Sequence, residues 1–243
     1  MGETGFFSRH KHIFLYLPNL IGYARIVLTL GALAFAFSYP ELCVGAYFLA
    51  FVCDDLDGRA ARAFNQTSTL GAVLDMVTDR VATTGLLALL CCTYPSLHLV
   101  FISLLALDIF SHWFQMYASL LAGSSTHKDV RSRSWLVRTY YRNRIFMGFC
   151  CVCCEVMYLA LFLLHLPAYQ QLGLLPLQLP QPLLQAAAGT PLEGPLGSWR
   201  GLPAVGVVAL LTLPGVLVKQ ACNWVQLRTA MQGLVDYDVK KMA

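Results

Sequence analysis

The sequence predicts an all-α, polytopic membrane protein: six transmembrane helices with both termini cytoplasmic. Three observations predict it. The chain of 243 residues is 57% hydrophobic and 12% charged, with mean hydropathy +0.60, a balance outside the ordinary soluble range. The apolar residues gather into six long runs, and the Lys and Arg residues of the connections fall almost wholly on one side of them.

The runs are roughly 20–38, 42–62, 71–92, 97–121, 145–166 and 202–226. Each approaches the ~20 residues that cross a 30 Å hydrocarbon core, the second and third only by including charged residues. The polar, basic residues before Ile13 lead into no small-residue cleavage site, so no removable signal peptide is expected. Of 17 Lys and Arg, only Arg200 falls in a connection reached after an odd number of crossings. Arg9, Lys11, Arg59, Arg62, Lys128, Arg131, Arg133, Arg138, Arg142, Arg144, Lys240 and Lys241 lie on the other side, which places both termini in the cytoplasm. The formal charge of +4 then reflects topology and attraction to anionic lipid, and no nucleic-acid motif is present. The Leu-, Pro-, Gln- and Gly-rich stretch 167–201 is too proline-broken to span and is expected to be a long non-cytoplasmic loop within a single domain, 1–243.

The second and third runs carry most of the chemistry. Asp54-Asp55-Leu56-Asp57-Gly58-Arg59-Ala60-Ala61-Arg62 is followed after eight residues by Gly71, Asp75 and Asp79. Ionisable groups at membrane depth cost about 2.5–3.5 kcal/mol each on insertion scales, so they are rare there and usually functional. Asp54 lies 13 residues from Glu41 and Asp79 lies 15 from Tyr94, or about 20 and 22 Å of helix. The two aspartates thus sit at similar depth, roughly 10 Å below the cytoplasmic edge of a 30 Å core.

Antiparallel pairing of the two helices brings Asp57 opposite Asp75, one turn nearer the cytoplasm. Asp54 and Asp57 are spaced i,i+3, and Gly71, Asp75 and Asp79 i,i+4,i+8, so each set shares one face. Asp55 points about 100° away. Four converging carboxylates repel one another unless cations neutralise them. Two divalent ions balance the set, and all-oxygen ligands suit Mg²⁺ or Mn²⁺ rather than zinc. Two-metal sites stabilise attacking and leaving oxygens in displacement at phosphorus. Gly58 and Ala61 leave room for a ligand, and Arg62, one turn on, offers a planar fork to phosphate. The competing reading is structural: the acids pair with Arg25, Arg62 and Arg80 to hold helices together.

D-x-x-D-G-x-x-A-R, eight residues, then G-x-x-x-D-x-x-x-D resembles the signature of the membrane CDP-alcohol phosphotransferases, with every specified position present. The flanking segments Pro18–Arg25, Ala60–Gln66, Leu74–Met76, Thr78–Arg80 and Ser111–Trp113 resemble the family's eukaryotic inositol-using branch. The resemblance implies that Asp54 and Asp75 bridge two metals, Asp57 completes the first and Asp79 the second. Asp79 is then also the proton acceptor, and Gly58, Arg62 and Ser68 hold CDP-diacylglycerol. The implied reaction joins CDP-diacylglycerol to myo-inositol, giving phosphatidylinositol and CMP, in a homodimer of the endoplasmic reticulum membrane with its site facing the cytoplasm. Two alternatives stay open: another family member that uses glycerol phosphate or a second lipid as acceptor, and a non-enzymatic cation carrier.

Outside the signature the readings are weaker. Arg25, near the depth of the aspartates, either binds substrate phosphate or neutralises an acid when metal is absent. Asp108 and His112, spaced i,i+4, either border the inositol pocket or satisfy each other in packing, the commoner arrangement. In the basic connection 128–144, Arg138, Tyr141 and Arg142 are candidates for the polar entrance for inositol, against a plain interfacial belt. The nine cysteines lie mostly in apolar runs and read as small hydrophobes rather than zinc ligands. Glu155 beside them is an unexplained intramembrane acid and a second candidate for the pocket.

Overall fold

A computed structural model describes residues 12–121, 135–176, 180–188 and 201–242. The described chain is helical: α1 Leu17–Ala34, α2 Pro40–Ala63, α3 Thr69–Thr93, α4 His98–Leu121, α5 Trp135–Arg142, α6 Arg144–His165, α7 Pro167–Gln170, α8 Gln181–Ala187 and α9 Ala204–Met242. Short 3₁₀ turns, Ile13–Leu15 and Pro95–Leu97, precede α1 and α4.

The six long helices coincide with the six apolar runs. Four of them, α1, α4, α6 and α9, are long and apolar enough to cross a membrane. The other two, α2 and α3, are 24 and 25 residues long but carry the acidic signature. Outward faces expose bulky apolar side chains such as Val27, Leu99 and Leu211, as a lipid-facing surface requires.

Local sequence explains the helix boundaries. Pro18, Pro40 and Pro167 stand in first turns, where a missing N–H costs nothing. The Ser68 hydroxyl accepts the Gly71 amide at 3.0 Å and caps α3. Between α2 and α3, Asn65 takes a left-handed φ of 53°, a conformation asparagine tolerates. The following Gln66 accepts the Leu17 amide through its side chain at 2.9 Å, tying this turn to the start of α1.

Contacts at one end of the bundle show that the long helices alternate in direction. The Tyr169 hydroxyl donates to Glu41 at 3.0 Å, and Tyr94 donates to the Leu161 carbonyl at 2.7 Å. These join the start of α2 to α7, just past α6, and the end of α3 to the last turns of α6. The core lies at this end, built from Ala36, Cys43, Leu86, Leu90, Phe101 and Phe162. A second, smaller cluster of Tyr140, Cys150 and Cys222 joins α5, α6 and α9.

Two expectations change. The sixth run ends at Gln226, but α9 is a single helix of 39 residues with Pro214 inside it, about 58 Å long at 1.5 Å per residue. Hydropathy marks where a helix leaves an apolar solvent; it does not mark where the backbone stops being helical. Nor do α2 and α3 pair face to face. Both lean on α1 instead, and the α1–α3 approach is close enough that a Cβ at Gly22 would stand 2.7 Å from Leu74, and one at Gly71 2.9 Å from the Asn19 side chain. A gap remains between the two acidic helices.

The loop after α6 is partly pinned. Leu175 and Leu202 exchange backbone hydrogen bonds of 2.9 Å, and the Ala204 amide donates to Leu172 at 3.0 Å. Glu193 and Arg200 lie outside the described residues.

Candidate active site

Asp57 and Asp75 are each six residues inside the ends of their helices, and Asp54 and Asp79 nine and ten residues inside, about 9 to 15 Å along the axis. Their i,i+3 and i,i+4 spacings turn all four carboxylates into the gap between α2 and α3. Oxygens of Asp54, Asp57 and Asp75 all lie within 4.8 Å of one another.

The centre of the cluster is Arg25. Its side chain comes from α1, the helix behind the gap, and is 5% exposed. One terminal nitrogen, Nη1, donates to Asp57 at 2.8 Å and to Asp75 at 3.3 Å. The other, Nη2, donates to Asp79 at 2.8 Å and pairs with Asp54. A single guanidinium therefore binds all four acids, Asp57 and Asp75 at one level and Asp54 and Asp79 at the next. Asp55 is not bound by this guanidinium and pairs instead with Arg59 at 2.7 Å, both side chains being largely exposed.

Four carboxylates and one guanidinium leave three formal negative charges in one place. The oxygen-only donors, their mutual spacing and this unbalanced charge fit hard divalent cations. Asp54, Asp57, Asp75 and Asp79 are the residues that would hold them.

The carboxylates form one wall of a cavity of about 750 Å³, within the usual size range of ligand pockets. Gly58 and Arg62 line it near α2. The Arg62 guanidinium lies alongside Gly58, 3.5 Å from where a Cβ would stand, an ordinary van der Waals contact. Ser68 is not among the lining residues; its hydroxyl is spent on the α3 cap.

A buried polar layer supports Asp79 from below. Its neighbour Arg80 donates to both oxygens of Asp108, at 2.5 and 2.6 Å, joining α3 to α4. Asn223 reaches the same Asp108 from α9 at 3.4 Å. His112 places Nδ1 2.8 Å from the Asp108 carbonyl. A carbonyl only accepts, so this nitrogen carries the proton. Asp108 and His112 line the cavity yet are largely engaged in holding α3, α4 and α9 together.

Among the sequence-predicted entrance residues, Arg138 and Arg142 do not line this cavity. The Tyr141 side chain lies outside the described residues, as do Lys128, Arg131 and Arg133. Their neighbour Tyr140 does line it, together with Tyr47 and Tyr158. Glu155 joins the wall from α6, and Lys219 and Gln220 from α9. Sequence reasoning missed Lys219 as a site residue, although a lysine at mid-run in an apolar helix was a readable signal. All nine cysteines are free.

A cleft with acids at this spacing, in a chain with four helices able to cross a membrane, defines a class. The profile of the CDP-alcohol phosphatidyltransferases matches residues 15–166, and the chain belongs to this family. Among its relatives, a protein of Arabidopsis thaliana named CDP-diacylglycerol--inositol 3-phosphatidyltransferase 1 is 47% identical over 231 residues, covering 94% of this chain and 92% of the relative. Proteins of the same activity name from Schizosaccharomyces pombe and Homo sapiens are 36% and 34% identical, each covering 96% of this chain, and 94% and 97% of the relative. No solved structure matches the chain.

Proposed function

We propose that this protein makes phosphatidylinositol, transferring the phosphatidyl group of CDP-diacylglycerol to myo-inositol and releasing CMP. Relatives named for this reaction cover nearly the whole chain. The single observation that carries the mechanism is the convergence of Asp54, Asp57, Asp75 and Asp79 on one wall of a cavity large enough for a sugar-like acceptor and a diphosphate.

Asp79 takes the proton of the attacking inositol hydroxyl. That oxygen bonds to the phosphorus attached to diacylglycerol, the bond from this phosphorus to the CMP oxygen breaks, and CMP leaves with the electron pair. Arg62, laid along the Gly58 backbone, binds a phosphate of the donor. The four aspartates would hold two Mg²⁺ or Mn²⁺ ions, which when bound would supply positive charge against the diphosphate and the departing CMP. The cavity's recessed position keeps acyl chains in lipid while cytidine and inositol arrive from the aqueous side.

In this reading α2 and α3 also span the membrane, giving six crossings with cytoplasmic termini, and the whole chain is one catalytic domain. The positive charges of the even-numbered connections support the orientation. The endoplasmic reticulum location and homodimeric assembly rest on family likeness. Purified protein incubated with CDP-diacylglycerol, Mn²⁺ or Mg²⁺ and labelled inositol is expected to form labelled phosphatidylinositol with equimolar CMP. Product formation with glycerol 3-phosphate and none with inositol would overturn the reading. Ion flux in proteoliposomes without CMP release would point to a carrier.

A further inference from the structure

We infer that Glu155 selects the acceptor: its carboxylate, on the cavity wall beyond Asp79, receives hydroxyl groups of an uncharged polyol and disfavours phosphorylated acceptors. The inference rests on the phosphatidyl-transfer reading above and adds which residue recognises the alcohol. It starts from an imbalance among the cavity's acids. Asp54, Asp57, Asp75 and Asp79 share Arg25, Asp55 has Arg59, and Asp108 has Arg80. Among the described residues, Glu155 takes part in no hydrogen bond and no ion pair, although it lines the same cavity.

A carboxylate at membrane depth without donors is costly, and such acids persist where function supplies a partner. The surroundings indicate its chemistry. Cys151, Glu155 and Tyr158 are spaced i,i+4,i+7 and present one face of α6 to the cavity. Opposite them, α9 contributes Lys219 and Gln220. The Gln220 amide donates to the Tyr158 hydroxyl at 3.3 Å while its carbonyl oxygen accepts from Asn223 at 3.4 Å, leaving the Tyr158 proton to meet a ligand. Glu155 as acceptor and Tyr158 and Lys219 as donors thus line one part of the cavity, and a ring bearing a hydroxyl on every carbon can meet both kinds of group.

Charge sets the discrimination. Asp79, Arg80, Arg25 and Lys219 line the same cavity as Glu155. Arg80 and Arg25 are already bound to carboxylates. A neutral polyol gains charge-assisted hydrogen bonds from Glu155 while extending one hydroxyl to Asp79. A phosphate-bearing acceptor brings two negative charges towards two carboxylates, the repulsive element on which specificity depends.

Purified Glu155→Gln and Glu155→Ala are assayed with CDP-diacylglycerol, Mn²⁺ and either inositol or glycerol 3-phosphate. Both variants are expected to raise the inositol KM by about tenfold or more, the worth of a hydrogen bond to a charged group. The KM for CDP-diacylglycerol and the thermal shift produced by Mn²⁺ should match wild type, and Glu155→Asp should recover part of the inositol KM. An unchanged inositol KM in the folded variants overturns the inference. So does loss of folding in both, which would make Glu155 a helix-packing residue. Wild-type protein that forms no phosphatidylinositol would instead remove the underlying reading, which separates the two failures.

Discussion

Replacing Arg25 with methionine removes the one cation that touches all four signature acids while keeping a side chain of similar length. The loss is worked from the contacts. The strongest is to Asp57, whose side chain is 11% exposed, at 2.8 Å. The side chains of Asp54, Asp75 and Asp79 are 37%, 31% and 36% exposed, so water screens each of those contacts to about 1 kcal/mol or less. Breaking a buried pair from one side costs about 3–5 kcal/mol, a fair measure of the whole. At roughly 2–4 °C per kcal/mol for a chain of this size, Arg25→Met is expected to melt roughly 10 °C below wild type in EDTA. Divalent ions should narrow that gap. The variant cluster carries four formal negative charges against three in wild type, and its oxygens no longer share a guanidinium, so Mn²⁺ binds more tightly and raises its melting temperature further. The assay is thermal unfolding in detergent or nanodiscs, in EDTA and across a Mn²⁺ titration. A variant that melts with wild type in EDTA, or gains less from Mn²⁺, would refute the view of Arg25 as resident counter-ion of the acids.

Two further outcomes are expected. Asp79→Asn should lower phosphatidyl transfer on the order of 10²- to 10⁴-fold, the usual worth of a positioned base, while the protein stays folded because Arg25 keeps Asp54, Asp57 and Asp75; near-normal turnover would remove Asp79 from the chemistry. Ser68→Ala should cost about 1 kcal/mol of stability through the lost α3 cap and Ser68→Thr much less, measured by thermal unfolding, whereas a raised KM for CDP-diacylglycerol at unchanged stability would restore Ser68 to substrate binding.

What could be read from the sequence was local in origin. Long apolar runs report the solvent around each helix, and charge in the connections reports orientation. The periods of i,i+3 and i,i+4 place Asp54 with Asp57, and Gly71 with Asp75 and Asp79, because the angle between neighbours on a helix is a property of the backbone alone. The pairing of Asp55 with Arg59 rather than Arg25 follows from the same angle. Even the matched levels of Asp57 with Asp75, and Asp54 with Asp79, come from counting residues to a shared end.

Tertiary structure decided whatever depends on which helices touch and how each is rotated. Residue spacing has no say in whether α1 stands behind the gap between α2 and α3, yet that placement sends Arg25 to acids 29 to 54 positions away in the chain. The same holds for Glu155, Lys219 and Gln220, brought to the cavity by α6 and α9. Ser68 shows the converse: a hydroxyl in a substrate signature whose bond in the folded chain is to its own helix. Backbone geometry therefore determined the faces of the individual helices from sequence alone. Only their packing, governed by side-chain volume and loop reach across long separations, determined which faces share a cavity.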